Sequence, residues 1–334
     1  MDPLTQGVLG AALPQSTANK SEVAVAGLLG FLAGMSADLD VLIRSSTDPL
    51  LFLEYHRQFT HSLVFIPIGG LLCAMVLYFT IGRRRNLSFL RTLKYCTAGY
   101  ATHALLDACT TYGTLLFWPF SDMRVAWNTV SIIDPLFTLP ILALVIMAAL
   151  RKRVLLARLA FVWALVYLSL GLLQRNTAIE MGEEIAKSRG HIPLRLEAKP
   201  SFGNILVWKT VYETDGRFYV DAVRATFSPV VFPGDSVAKL DIARDLPWLE
   251  RGSQQAKDIE RFRWFSNGYI ALDPGNKYKI IDIRYSMIPN QLAALWSIEL
   301  APQARATDHV VYRTHRSTAG NEGSVILDMM VGGG

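Results

Sequence analysis

The long apolar runs of this chain all fall within its first 175 residues, and this uneven distribution limits what it can fold into. Residues 176–334 mix charged, aromatic and turn-forming residues as a water-soluble domain does. A chain of 334 residues is long enough for two domains, and the composition changes near Gln174-Arg175-Asn176. We therefore predict a membrane-embedded α-helical domain over residues 1–175 and an extracytoplasmic, mainly-β (α+β) domain over residues 176–334.

Segments that can cross a bilayer need about 20 mostly apolar residues. Five are predicted, at roughly residues 23–43, 62–82, 92–113, 131–150 and 154–173. The first could instead be a cleaved signal peptide. Met35 would then stand three residues before the cut, where a small side chain is preferred, so an uncleaved span is expected. The sequence thus predicts a bundle of about five transmembrane helices.

Basic residues in the short loops indicate the orientation, because cytoplasmic loops are enriched in Lys and Arg. Arg83-Arg84-Arg85 and Arg151-Lys152-Arg153 are strongly basic, whereas loops 44–61 and 114–130 balance Arg with Asp and Glu. Five spans then place the C-terminal domain outside the cytoplasm. The same basic loops account for much of the net charge of +5, so the expected partner is the lipid bilayer and no nucleic acid is expected.

Six ionisable residues lie within or beside the apolar segments, where such groups are costly and need a reason to be present. With the predicted orientation, all six tend toward the outer side of the membrane. Imidazole and carboxylate ligands suit zinc, manganese or iron, and six ligands exceed the four of one tetrahedral zinc. We therefore predict a centre for one or two divalent ions. Its ligands are Asp38, Asp40, His56, His61, His103 and Asp107.

The spacing of these residues predicts their local structure. His103 and Asp107 are four residues apart and share one face of a helix. Asp38 and Asp40 are two apart and cannot point the same way from a regular helix, so the first span should unwind near residues 34–37. An unwound helix end in a membrane is tolerated where it lines a polar cavity.

Two helix ends are predicted beside this region. Gly113 can adopt the left-handed conformation that often ends a helix, so the third span should stop at Tyr112-Gly113. Asp134 precedes Pro135, a residue favoured in the first turn, so an N-cap is the expected role of Asp134.

Hydrolysis is the chemistry that such a centre favours. A pair of ions about 3.5–4 Å apart can activate water for attack on an ester or phosphoester and stabilise the leaving oxygen. Arg57 could bind a substrate phosphate through two parallel hydrogen bonds. We assign catalytic roles to Arg57, Asp40 and His61.

Other interpretations of the same residues stay open at this point. The two aspartates could cap a helix end, the pair in the third span could be a buried hydrogen bond, and the two loop histidines could be ordinary interfacial residues. At the level of function, the cluster could serve an ion- or proton-coupled transporter. The chain could also be a non-catalytic envelope scaffold in which the β domain binds a partner.

Several stretches of the first 175 residues together resemble the YdjM-like family. They are MDPLTQGVLGA at residues 1–11, Asp38-Leu39-Asp40, HRQFTHS at residues 56–62, HALLD at residues 103–107, Gly113 and Pro119-Phe120. The resemblance implies a bacterial inner-membrane protein and a metal-dependent hydrolase, regulated in some members by the LexA repressor. It also implies distant similarity to zinc-dependent phospholipases C and single-strand nucleases.

The resemblance maps the six predicted ligands onto the polar motifs of the family. Many members have Thr-His-Gly near the N-terminus, whereas this chain has Thr5-Gln6-Gly7. A ligand of the family pattern is therefore missing, or the carbonyl oxygen of Gln6 replaces it.

The C-terminal half contains two hairpin signals. One is the pair Asp215-Gly216 between two apolar, β-prone stretches, and the other is the turn at residues 273–276. Residues 176–190 and 236–266 are more helix-like. We find no nucleotide-binding loop, nucleophile elbow or catalytic triad in this half, so we expect it to bind substrate, cover the membrane site or recruit a partner.

Overall fold

The computed structural model describes residues 1–315 and 321–332. It divides into two compact units. The first unit comprises Met1–Leu42, Tyr55–Leu172 and Phe202–Asn204, and the second comprises Ile43–Glu54, Leu173–Ser201 and Ile205–Gly334. A short segment from the first half of the chain therefore belongs to the second unit.

Helices build the first unit. The α-helices up to the end of the apolar half are α1 (Pro3–Thr17), α2 (Val23–Met35), α3 (Leu51–Tyr55), α4 (Phe65–Leu77), α5 (Phe89–Cys109), α6 (Pro135–Arg151) and α7 (Val154–Ser188). Tighter 3-10 turns cover Ser36–Leu42, Phe59–His61 and Arg83–Arg85, and a π-helical turn covers Tyr78–Gly82.

Three helical segments among the described residues are long and apolar enough to cross a membrane: Val23–Leu42, Phe65–Arg85 and Val154–Ser188. Helix α6 is apolar but has only 17 residues. Helix α5 has 21 residues, but its Thr, Tyr and His side chains lower its hydropathy. The predicted count of five spans is therefore not confirmed.

Helix α1 is an element that the sequence analysis did not predict. Its 15 residues are too few for a span, and its N-cap is Asp2, whose carboxylate accepts a hydrogen bond from the Thr5 amide at 3.0 Å. Small residues let it approach α2 closely: a Cβ added at Gly10 would lie 2.6 Å from the carbonyl oxygen of Gly30. The backbones of α1 and α2 therefore touch without intervening side chains.

The helix ends near the predicted site differ in how well they were anticipated. Helix α2 gives way to a 3-10 turn at Ser36, as the spacing of the two aspartates predicted. Asp134 caps α6 by accepting from two backbone amides, also as predicted. The predicted end of the third span at Gly113 is wrong. Helix α5 stops at Cys109, where both the amide and the hydroxyl of Thr110 bond to the Asp107 carbonyl oxygen.

Gly113 has another structural role. Its φ is +68°, and an added Cβ would lie 2.5 Å from the carbonyl oxygen of Val125. The adjacent residue Thr114 pairs with Val125 in an antiparallel bridge. The glycine thus permits a close backbone approach after the helix has ended.

Two antiparallel sheets form the mainly-β part of the second unit. One has strand order β1-β2-β3-β4 with β5 also paired to β3, and the other has order β6-β7-β8-β9. The strands are β1 (Arg195–Pro200), β2 (Val207–Thr214), β3 (Arg217–Arg224), β4 (Val230–Phe232), β5 (Ser236–Ala238), β6 (Ile270–Asp273), β7 (Asn276–Asp282), β8 (Trp296–Glu299) and β9 (Val311–Thr314). The helices are α8 (Ile242–Asp245), α9 (Gln254–Phe265) and α10 (Glu322–Val331).

Both predicted hairpins are present. Asp215 and Gly216 have φ values of +47° and +69° and join β2 to β3, a conformation that Asp-Gly adopts readily. The second hairpin joins β6 to β7. The first sheet also buries Lys209, whose amine donates to the Ser286 hydroxyl and the Gln291 carbonyl oxygen, each at 2.8 Å.

Candidate metal centre

Four of the predicted ligands converge inside the first unit. The 3-10 turn after α2 supplies Asp38, the turn before α4 supplies His61, and α5 supplies His103 and Asp107 from adjacent turns. One ligand atom from each lies within 4.8 Å of all the others. The side chains of His61, His103 and Asp107 are fully buried, and that of Asp38 is 19% exposed.

Five of the six distances among these atoms are close to the edges of a small tetrahedron, and the sixth is below 4.8 Å. The two Nε2 atoms of His61 and His103 are 2.9 Å apart. Asp38 Oδ1 lies 3.4 Å from both nitrogens, and Asp107 Oδ2 lies 3.2 Å from His61 and 3.6 Å from His103. A tetrahedral zinc with bonds of about 2.0–2.1 Å has edges of about 3.3 Å. The four atoms therefore surround a space of the right size for one ion.

Hydrogen bonds to the other ring nitrogens fix the tautomers of the two histidines. His103 Nδ1 is 2.5 Å from the carbonyl oxygen of Gly34, which can only accept, so this nitrogen carries the proton. His61 Nδ1 is 2.9 Å from Thr60 Oγ1, whose own proton goes to Asp40 at 2.8 Å. In the neutral form, both rings therefore direct Nε2 lone pairs at each other, the arrangement in which His binds metals.

The carboxylate oxygens at the centre also need a cation. Within the described residues, Asp38 Oδ1 and Asp107 Oδ2 are buried and have no aligned hydrogen-bond donor, although the histidine nitrogens are close to both and Arg57 Nε lies 3.1 Å from Asp107 Oδ2. Burying such oxygens without a partner is costly. Two imidazole lone pairs and two carboxylate oxygens without an aligned hydrogen-bond donor form the donor set that a divalent ion such as zinc requires.

The remaining two predicted ligands form a second group with Asp38. The ligand atoms of Asp38, Asp40 and His56 also lie within 4.8 Å of one another, so the two groups share one aspartate. Asp40 Oδ1 is 2.7 Å from His56 Nδ1, and Asp40 Oδ2 accepts from the Arg57 amide at 2.9 Å. These bonds, with that from Thr60, already occupy the oxygens of Asp40. This aspartate is thus better placed to fix the loop than to bind the first ion.

Arg57 lies at the edge of the centre in a left-handed backbone conformation, with φ of +64°. Its Nε is 3.1 Å from Asp107 Oδ2, its Nη1 donates to Thr110 Oγ1 at 3.2 Å, and it is only 5% exposed. The guanidinium adds positive charge beside a ligand that already has a buried negative charge.

Helix α1 contributes two contacts that the sequence analysis did not assign. Gln6 Nε2 donates to Asp107 Oδ1 at 2.9 Å, and the backbone nitrogen of Met1 lies 2.5 Å from the same oxygen. Gln6 therefore orients a ligand through its amide nitrogen, while its carbonyl oxygen has no partner among the described residues. The comparison of Thr5-Gln6-Gly7 with the family pattern was the signal that marked this position.

Comparisons with known proteins match the apolar half of the chain. A family model described as YdjM inner membrane protein matches residues 1–178, which include all six predicted ligands. The chain is 34% identical to inner membrane protein YbcI of Escherichia coli (strain K12) over 108 residues, or 31% of this chain and 60% of YbcI.

A second relative is the uncharacterized protein YfhP of Bacillus subtilis (strain 168). It is 26% identical over 142 residues, which are 40% of this chain and 42% of YfhP. The matched region thus covers less than two thirds of either relative. No solved structure matches the chain.

Proposed function

Because the chain belongs to the YdjM inner membrane protein family, we propose that it is a membrane-bound, metal-dependent hydrolase. The observation that carries the proposal is the convergence, in a buried space the size of one ion, of two histidine lone pairs and two carboxylate oxygens that have no aligned hydrogen-bond donor. The substrate class is an ester or phosphoester of a membrane-associated molecule. The position of the ligands beside apolar helices supports the membrane association of this proposed substrate.

Asp38, His61, His103 and Asp107 would hold the ion, and zinc fits this donor set best, with manganese or iron as alternatives. Bound there, it would supply Lewis acidity and make water a nucleophile near neutral pH. The group Asp38, Asp40 and His56 is the proposed place for a second ion.

The residues around the ion-binding set have distinct proposed roles. When no second ion is bound there, Asp40 holds His56 through Nδ1 and leaves His56 Nε2 free to accept a proton, which the 28% exposed side chain can exchange with water. Arg57 supplies positive charge for a phosphate oxygen or for the charge that develops during hydrolysis. Thr60 and Gly34 keep the two buried histidines in the tautomers that bind metal.

We also propose a multi-pass arrangement in the bacterial inner membrane, with the second unit on the periplasmic side. The basic loops at Arg83–Arg85 and residues 151–153 support it, since such loops stay in the cytoplasm.

A proton-coupled transporter is the second candidate function. The 2.9 Å separation of His61 Nε2 and His103 Nε2 is also that of two imidazoles sharing one proton, and buried Asp and His residues form proton relays in membranes. Metal content separates the two functions, because a shared proton occupies the space that an ion would fill.

The test is metal analysis by inductively coupled plasma mass spectrometry on the full-length protein purified in detergent. Wild type should carry near-stoichiometric zinc, manganese or iron, and His61→Ala and His103→Ala should lose it. His191→Ala is the matched control, because this histidine bonds to Tyr212 in the second unit. Metal-free wild type, even after supplementation with all three ions, would refute the hydrolase and leave the proton relay.

A further inference from the structure

One segment of the chain links the two ligand-bearing stretches of the candidate metal centre yet packs in the second unit. Residues 43–54, here called the strap, belong to that unit. In the chain, the strap begins three residues after Asp40 and ends two residues before His56. Any residue that fixes the strap therefore acts on both of its ends.

Arg261, in helix α9, fixes the strap through its whole guanidinium group. Nη1 and Nη2 bind the two carboxylate oxygens of Asp48 at 2.9 and 2.8 Å, and Nε lies 2.5 Å from Glu54 Oε1. The side chain is only 20% exposed. Paired, charge-assisted bonds of this kind constrain geometry more than a single ion pair does.

The Arg261 side chain is itself fixed by an ion pair with Asp258. Asp258 Oδ1, fully buried one turn earlier in α9, binds Arg261 Nη1 at 3.0 Å. Its other oxygen accepts from the Val310 amide at 3.1 Å and lies 2.8 Å from His309 Nδ1. Because a buried carboxylate must be paired and hydrogen-bonded, these contacts fix Asp258 and, through it, the position of Arg261.

The strap also makes an aromatic contact in the second unit, between Phe52 and Tyr312, with ring centroids 5.3 Å apart. Glu54 and Arg57 are three residues apart, and the amide of Arg57 donates to Asp40 Oδ2. Because a residue spans at most about 3.6 Å of chain and only Tyr55 separates Glu54 from His56, His56 must lie close to the point where Glu54 is held. The position of the strap therefore sets the entry of the chain into the candidate metal centre.

We propose that Arg261 is a positioning residue of the metal centre: by holding Asp48 and Glu54, the second unit fixes the backbone that presents Asp40, His56 and His61. The metal-binding part of this inference rests on the proposed function, but the positional part does not. It gives the second unit a role in the chemistry of the apolar half that does not require it to touch a substrate.

The first experiment measures hydrogen exchange by mass spectrometry on the full-length, metal-free protein in detergent. Arg261→Ala should speed exchange in peptides covering both residues 43–54 and residues 55–62. Asp48→Asn should speed exchange in the same two peptides. Because this variant leaves α9 unaltered, it separates loss of the contact from a general loss of folding. Arg263→Ala is the matched control, since it removes an exposed ion pair with Glu260 on the same helix.

Faster exchange in both peptides supports the proposal. Faster exchange confined to residues 43–54, or none, overturns it. Arg261→Lys should give an intermediate result, because an ammonium retains the charge but cannot bind two carboxylates through a planar fork.

The second experiment titrates the same variants with Co²⁺ and follows its absorption spectrum. Arg261→Ala should weaken binding about 10- to 100-fold, the range found for residues that orient metal ligands. Wild-type affinity in this variant would overturn the proposal. If wild type binds no metal, the proposed function fails, and the exchange data alone still decide whether Arg261 positions the loop.

Discussion

Replacing Gly10 with alanine should force α1 away from α2 and loosen the helical unit. The new Cβ would lie 2.6 Å from the carbonyl oxygen of Gly30 and 2.9 Å from Gly34 Cα, whereas ordinary contact begins at 3.4 Å. The obstructing atoms are backbone, so no side chain can rotate away. Overpacking of this kind typically costs about 1–3 kcal/mol, and we expect about 3 kcal/mol here because two helices must separate.

The matched control lies one turn earlier on α1. A Cβ at Gly7 would meet the ring of Phe31 at 2.5 Å, but that ring is a partly exposed side chain and can shift. Both substitutions gain the same helix propensity, about 1 kcal/mol. The difference between Gly10→Ala and Gly7→Ala therefore isolates the cost of the backbone contact.

Thiol labelling of Cys96 is the assay. This cysteine is fully buried on α5, in a cluster with Ala26 and Leu29 of α2, and the chain has two other cysteines, Cys73 and Cys109, which can be replaced by serine. Labelling in mixed micelles then follows the opening of the helical unit alone. Because the propensity gain cancels between the two variants, a difference of about 3 kcal/mol should make Gly10→Ala label roughly 100-fold faster than Gly7→Ala. Equal labelling rates in Gly10→Ala and Gly7→Ala would show that the helices are not held at this backbone contact.

Three further predictions concern the site and the second unit. Asp107→Asn should abolish stoichiometric metal binding while the helical circular dichroism stays unchanged; retained metal would remove this carboxylate from the ligand set. Thr60→Val removes the hydroxyl that accepts from His61 Nδ1 and should weaken Co²⁺ binding about 10- to 100-fold. Thr80→Val, at an exposed threonine, should leave Co²⁺ binding unchanged. Burial lowers the pKa of Lys209 to about 7. Between that pH and about pH 10, the unfolded state binds more protons than the folded state does. The free energy of unfolding of the second unit should therefore rise with pH, by at most about 1.4 kcal/mol per pH unit. In urea unfolding followed by pulse proteolysis between pH 6 and pH 9.5, Lys209→Met should flatten this rise; an unchanged slope would mean that the lysine stays charged.

Local patterns made part of this fold predictable. Asp215-Gly216 requires only its own backbone preferences and two flanking apolar stretches to specify a hairpin. The two-residue spacing of Asp38 and Asp40 likewise excludes a regular helix without reference to the rest of the chain. The predicted helix end at Gly113 was wrong because a glycine in the left-handed conformation is equally suited to a helix end and to a close approach of two backbone segments.

Longer-range features were beyond the reach of spacing. Helix α1 is too short to be recognised as a span, and its burial depends on glycines in α2. The sharing of Asp38 by two ligand groups, and the tautomers fixed by Thr60 and Gly34, exist only once three segments meet. Arg261 and Asp48 are 213 positions apart, so nothing near either residue indicates the pair.

That separation has a consequence for the order in which the protein is made. The strap is synthesised long before α9, so Asp48 and Glu54 cannot bind Arg261 when they leave the ribosome. More than half of the chain is synthesised before this arginine is present. All six ligands are already present by residue 107. If Arg261 sets their loop, the centre reaches its final form near the end of translation, and the timing of metal loading becomes a property of the C-terminal half.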